Sequence, residues 1–150
     1  MVEIYNNLYV GSIHDFEQSS FGHDWALVNA CKKIKIGKKT ASQKVLFEDY
    51  LFLNTGSNIN LAFFNCESLH LSFSFIEEKL QKGKNVLLFC DLGGSASPLV
   101  AIGFLSNRLN ILPNTSLEDA EDVFYDLYID YNPKFDMRQA AQQLWSELNR

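Results

Sequence analysis

The chain has 150 residues, 47% of them hydrophobic and 13% aromatic, a formal net charge of −5 and three cysteines. That length suits one domain, residues 1–150, with a substantial buried core; the composition excludes a disordered polymer, and the acidic balance excludes a general nucleic-acid binder. No apolar run approaches the ~20 residues that span a bilayer and no basic, apolar leader opens the chain, so a soluble, cytoplasmic protein with no membrane partner is expected.

In chain order, Leu8-Tyr9-Val10 reads as a short strand ended by Gly11-Ser12, and Ile13 to Ser20 as a turn or short helix. Trp25 to Ala30 is apolar enough for an interior strand. Six lysines follow between Lys32 and Lys44, with no acidic residue between Asp24 and Glu48. Such a run is a solvated loop in its plain reading, and a basic rim that attracts a phosphorylated or acidic partner in its sharper one. Val45 to Leu53 returns to β character, and a turn-rich stretch from Asn54 to Asn60 leads to the apolar Leu61 to Phe64.

Leu69, Phe73, Ile76 and Leu80 recur at helical spacing and predict a helix from about Ser68 to Lys82, with Gly83 as its stop. Asn85 to Cys90 is the central strand, followed by a nearly all-apolar helix from Pro98 to Leu109. Ser116-Leu-Glu-Asp is a capping sequence for a helix whose inner face is Leu117, Ala120, Phe124, Leu127 and Tyr131. Glu118, Asp119, Glu121, Asp122 and Asp126 read as its solvated acidic face. Asp136 with Gln139 opens a final helix carrying Met137, Ala141, Leu144, Trp145 and Leu148. This order predicts an α/β domain built on one central, mostly parallel sheet flanked by helices.

The candidate site is the stretch Asn85-Val-Leu-Leu-Phe-Cys-Asp-Leu-Gly-Gly-Ser-Ala-Ser-Pro98: strand, glycine-bearing turn, helix start. Backbone N–H groups of such a turn and the positive end of the following helix suit an anion, and the same surroundings favour the thiolate of a cysteine placed there. Ser97 is suited to be the N-cap and Pro98 the first helical residue. Cys31, Cys66 and Cys90 are an odd set without close pairing, which argues against a disulfide framework or zinc ribbon; Cys31 and Cys66 read as core or semi-buried thiols. His14, His23 and His70 lack metal-like spacing, and no metal or cofactor is expected.

The segment from Phe75 to Pro98 resembles the core of the dual-specificity protein phosphatases, within the cysteine-based tyrosine phosphatase superfamily. That family's signature is His-Cys, five residues, Arg, then Ser or Thr. Asn7 to Ser12 is similar to the family's opening strand, while Trp25 to Lys32, Leu51 to Asn54, Tyr131-Asn-Pro133 and Trp145 resemble a bacterial and phage-type branch. The resemblance implies a nucleophile at Cys90, a thiolate-supporting hydroxyl at Ser97, and an anion-binding loop of Asp91, Leu92, Gly93, Gly94, Ser95, Ala96 and Ser97. It also implies three departures: Phe89 at the histidine position, Ala96 at the arginine position, and Ser57 where an ungapped count places the acidic residue. No Asp or Glu occurs between Tyr50 and Cys66, so a general acid would have to come from elsewhere, such as Asp49 or Glu67.

Alanine cannot supply the two-pronged contact that arginine makes to phosphate. The expectation is therefore a catalytically impaired or inactive phosphatase-like protein, a pseudophosphatase, that binds phosphorylated or anionic protein segments through the Cys90 to Ser97 loop. A residual cysteine-dependent protein tyrosine/serine/threonine phosphatase, and an interaction protein using another surface, remain the alternatives. The partner and oligomeric state are not specified by the sequence.

Overall fold

The computed structural model describes residues 1–31, 49–53 and 64–150. The lysine-rich run, the Asn54 to Asn60 stretch with Ser57, and residues 61–63 lie outside the described residues, as does the first part of the segment read as β from Val45. In the described residues the elements are β1 (Val2–Tyr5), β2 (Leu8–Ser12), α1 (Ile13–Gln18), β3 (Trp25–Asn29), β4 (Tyr50–Phe52), α2 (Cys66–Gln81), β5 (Asn85–Cys90), α3 (Ala96–Asn107), α4 (Leu117–Leu127) and α5 (Phe135–Leu148).

The five strands form one sheet in the order β1-β2-β5-β3-β4. β2, β5, β3 and β4 run parallel, and β1 joins antiparallel at the edge. β5 is central because every residue from Val86 to Cys90 is apolar and buried, as a strand covered on both faces requires. Alternation then divides its side chains between two cores. Val86, Leu88 and Cys90 join the larger one, with Phe73 and Ile76 of α2, Val100 and Phe104 of α3, Phe124 of α4 and Trp145 of α5. Leu87 and Phe89 face the smaller one, with Phe16, Phe21, Leu27, Cys31 and Tyr50.

Helix α3 is buried along almost its entire length, from Ala96 to Ser106, which accounts for its unbroken apolar sequence. α4 begins where the capping sequence placed it, with the Ser116 side chain accepting from the Asp119 N–H. Its acidic face differs from the sequence expectation at one position. Glu121 is 4% exposed, takes the Arg138 guanidinium at 2.7 Å and accepts from the Tyr131 hydroxyl at 2.5 Å. A carboxylate inside a core persists when paired and hydrogen-bonded, and the partners come from residues too distant in sequence for helical spacing to reveal. α2 begins two residues before the expected Ser68 and ends one before Lys82, α5 begins one residue before Asp136, and β1, not anticipated as a strand, is stitched to β2.

A second buried carboxylate closes the opposite end of the sheet. Asp49, immediately before β4, is 2% exposed and lies 3.0 Å from Lys79 Nζ and 2.9 Å from Lys84 Nζ. Lys84 Nζ also donates to the His23 carbonyl, so the cluster joins α2, β4 and the entries to β3 and β5. Burial pushes the Asp49 carboxyl up, but the Lys84 and Lys79 hydrogen bonds and charges outweigh it and hold it below its ordinary value. A depressed carboxyl contributes stability above its unfolded pKa that is lost as pH falls through the folded value. Asp49→Asn is expected to lower unfolding stability by about 3 kcal/mol at neutral pH, because it strands two lysines. Urea denaturation of both proteins across the acid range should also show the variant losing less stability than the parent as pH drops below 4.

Candidate functional site

Cys90 ends the central strand at the carboxyl edge of the parallel strands, paired in register with Ser12 of β2. That edge is where α/β sheets collect ligands, since each strand there feeds a loop that no other strand covers. The chain then turns through residues 91–95 and enters α3 at Ala96. Ser97 reaches back from the first turn, its Oγ 3.1 Å from Cys90 Sγ and donating to the Gly11 carbonyl at 3.2 Å. The hydroxyl has one proton. While Gly11 takes it, the Cys90 thiol must be the donor to Ser97; turned toward sulfur, the same proton steadies a thiolate. The expected N-cap therefore moves by two residues: Ser95 is the N-cap and Pro98 the third helical residue, because Ser97 is engaged with Cys90 and Gly11.

The turn is fastened from one side by the segment joining α4 to α5. Gly93 has φ +79°, a left-handed conformation that L side chains rarely adopt. A Cβ there would lie 3.1 Å from both C and O of Gly11 and 3.2 Å from the Tyr128 hydroxyl oxygen. Tyr128 Oη donates to the Gly93 carbonyl at 2.8 Å, the Asn132 N–H to the Gly94 carbonyl at 2.8 Å, and the Lys134 N–H to Ser95 Oγ at 3.0 Å. In a planar trans peptide the N–H points opposite to the C=O. Fixing those two carbonyls therefore turns the Gly94 and Ser95 N–H groups away from Tyr128 and Asn132. Burial pushes the Tyr128 phenol up to about 12, with the Asp130, Cys90 and Asp15 charges adding to it, so its donor proton is retained at ordinary pH.

A cavity of about 260 Å³ opens over this loop, walled by Cys90, Asp91, Leu92, Gly94, Ser95 and Ala96 together with Ala30, Asp130, Asn132, Lys134 and Met137. The structure thus brings most of the expected anion loop to one concavity. Ala96 lines it with a methyl group, whereas Phe89 does not reach it. Phe89 is fully buried on the other face of the sheet, stacked on Phe16 with ring centroids 4.7 Å apart. Ser57 lies outside the described residues. Neither alternative carboxylate lines the cavity: Asp49 is held by its lysines at the opposite edge of the sheet, and Glu67 is in the first turn of α2.

The acidic lining residues are Asp91 and Asp130, and the basic one among the described residues is Lys134. Sequence reasoning named Asp91 as a loop member but passed over Asp130, Lys134 and Met137. Their only local signal is adjacency to Tyr131-Asn-Pro133, a segment singled out by resemblance rather than by chemistry. Cys31, in the smaller core, is a different kind of thiol. Burial pushes it far up, with the Asp91, Cys90 and Glu17 charges adding, and it stays protonated. No disulfide joins the three cysteines. Among the described residues no helix is long and apolar enough to cross a membrane.

No protein-family model and no curated protein matches the sequence. Solved structures do. The Cydia pomonella PTP-2 phosphatase superposes with a TM-score of 0.69 at 18% identity, over 95% of this chain and 88% of that one. Human DUSP28 gives a TM-score of 0.66 at 15% identity, over 99% and 95%. The human tyrosine phosphatase-like serine/threonine/tyrosine-interacting protein gives 0.60 at 17%, over 97% and 95%. The fold is that of the dual-specificity and tyrosine-type phosphatases. On this phosphatase fold, the loop after β5 is the element that the sequence resemblance pointed to.

The loop's dependence on Gly93 is open to measurement. Gly93→Ala is expected to cost about 1–2 kcal/mol from the left-handed backbone alone, plus the displacement of Gly11. Gly83→Ala is the control, because Gly83 has φ +77° with nothing within 4 Å of the added Cβ. Urea titration should find the Gly93 variant the less stable of the two; equal losses would mean that the β2 backbone does not constrain the loop.

Proposed function

We propose that this phosphatase-like chain is catalytically impaired or inactive, a pseudophosphatase that binds phosphorylated or anionic protein segments through its Cys90 to Ser97 loop. The observation that carries the reading is the lining of the cavity. Ala96 lines it where the resembled signature has arginine, and Lys134 is the one basic lining residue among the described residues. Phosphoryl transfer depends on positioning and on positive groups that gather around the transferring oxygens. Loss of one such donor typically costs roughly 10²–10³ in rate.

Binding survives these losses better than catalysis. The loop is shaped by main-chain bonds to Tyr128 and Asn132 and by the Ser95 to Lys134 bond, none of which needs the missing side chains. Backbone N–H groups at a helix start attract an oxyanion without help from arginine. A protein of the same fold is named for interaction in addition to its phosphatase likeness, the human tyrosine phosphatase-like interacting protein described above. A bacterial and phage-type branch of the family, carried by Tyr131-Asn-Pro133 and Trp145, belongs to the same reading, as does a cytoplasmic location.

Two assays test it. With a generic aryl phosphate, the parent protein should show no turnover above that of Cys90→Ser; Cys90-dependent turnover would overturn the inactive reading. Calorimetric titration with tungstate should show weak binding by the parent and at least tenfold tighter binding by Ala96→Arg, since position 96 faces the cavity. Failure of both proteins to bind any oxyanion would remove the binding role. Phe89→His is not a useful restoration: it would insert a polar ring beside Phe16 rather than into the site.

A further inference from the structure

The first residue of α5 runs against the local rules for its position. Lys134 is the N-cap of this 14-residue helix, and its side chain makes no cap hydrogen bond. N-caps favour Ser, Thr, Asp and Asn, whose oxygens accept from the first N–H groups, and the positive end of a helix disfavours a cation. A lysine there is a cost to α5, and such departures from local preference collect at functional sites. Nor is the charge neutralised nearby. Among the described residues no salt bridge includes Lys134, whereas Lys79, Lys82, Lys84, Arg108 and Arg138 are each paired with a carboxylate.

Its main chain is fixed beside the loop. The Lys134 N–H donates to Ser95 Oγ at 3.0 Å, and Ser95 is the N-cap of the 12-residue α3. Two helices therefore start from hydrogen-bonded N-caps, and both N-cap residues line the cavity. The first turn of α3 holds no acidic residue. In that of α5, Asp136 accepts from the Met137 N–H and is not among the described residues that wall the cavity. Lys134 thus adds a full positive charge where two partial ones already meet.

We infer that Lys134 takes over the part of the signature arginine that Ala96 cannot play, bringing its ammonium from the start of α5 to the oxyanion held at the start of α3. This inference rests on the anion-binding reading of the same cavity and adds the residue that supplies the charge. A lysine's flexible four-carbon stem, rooted at a fixed N-cap, carries a compact charge with rotatable donors, so it follows an anion without a preformed fork. It attracts without the two-pronged geometry of arginine, which serves holding an anion better than organising phosphoryl transfer.

Calorimetric titration of the whole chain with tungstate tests it. Lys134→Ala keeps the main-chain bond to Ser95 and should bind about tenfold more weakly than the parent, a gap that added salt narrows. Lys82→Ala, which removes one positive charge from the C-cap of α2, should bind as the parent does. Lys134→Asp separates a binding role from a structural one. Aspartate is a favoured N-cap and suits the helix dipole, so this variant should raise the urea midpoint while abolishing tungstate binding. In an Ala96→Arg background the loss from Lys134→Ala should shrink, because the arginine then supplies the charge. Parent-like binding by Lys134→Ala, an equal loss in Lys82→Ala, or a loss in both Lys134 variants that tracks a lowered urea midpoint would overturn the role of Lys134 and leave the anion site standing. No tungstate binding by the parent would overturn both.

Discussion

Three hydrogen bonds from residues 128–134 to the Gly93–Gly94–Ser95 turn set the shape of the site. A turn of this kind, with one residue left-handed, has no helix or strand ladder to hold it. Its conformation must be imposed by neighbours. Here the imposing segment is itself anchored, because Glu121 on α4 binds both Tyr131 and Arg138, one in the connection and one on α5. The Glu121 pairing raises the Arg138 guanidinium, while burial and then Glu121 raise the Tyr131 phenol, so Arg138 and Tyr131 keep their donor protons at ordinary pH. A buried, fully bonded carboxylate thus transmits the packing of two helices to a loop it does not touch.

The two ends of the parallel strands have been given different tasks. At the amino edge, Asp49 is enclosed by Lys79 and Lys84, and its charge is spent on holding strands to helix. At the carboxyl edge, Asp91 and Asp130 are exposed and line a cavity. Carboxylates of the same chemical type therefore stabilise the fold at one end and belong to an open cavity at the other. The difference lies in burial. The same separation applies to the thiols: Cys31 sits among aromatic rings on one face of the sheet, and Cys90 shares a hydrogen bond with Ser97 on the other.

Much of the fold was legible because it depends on short-range pattern. The continuous apolar run from Val86 to Cys90 identified the buried central strand, and the spacing of Leu69, Phe73 and Ile76 identified α2. Ser116 identified the start of α4. The misreadings share one cause, which is a partner distant in sequence. Glu121 was placed on a solvated face because its helical neighbours are acidic, while the residues that bury it are 10 and 17 positions away. Ser97 was assigned to capping because it precedes proline, while its hydroxyl is held by Gly11, 86 positions earlier. Of the site, Cys90 and the 91–97 loop were visible as a contiguous motif; Asp130, Lys134 and Met137 were not.

Sequence alone determined the order of elements, the position of the loop at the end of a buried strand, and the absence of arginine from position 96, because each is a property of neighbouring residues. Tertiary structure alone decided what surrounds that loop. The alternation of β5 sends Phe89 to one core and Cys90 to the other, and the folding back of the α4–α5 connection puts Asp130, Asn132 and Lys134 beside the cavity. Periodicity specifies which face of an element is apolar. Which distant segment comes to lie against that face is settled only when the whole core closes.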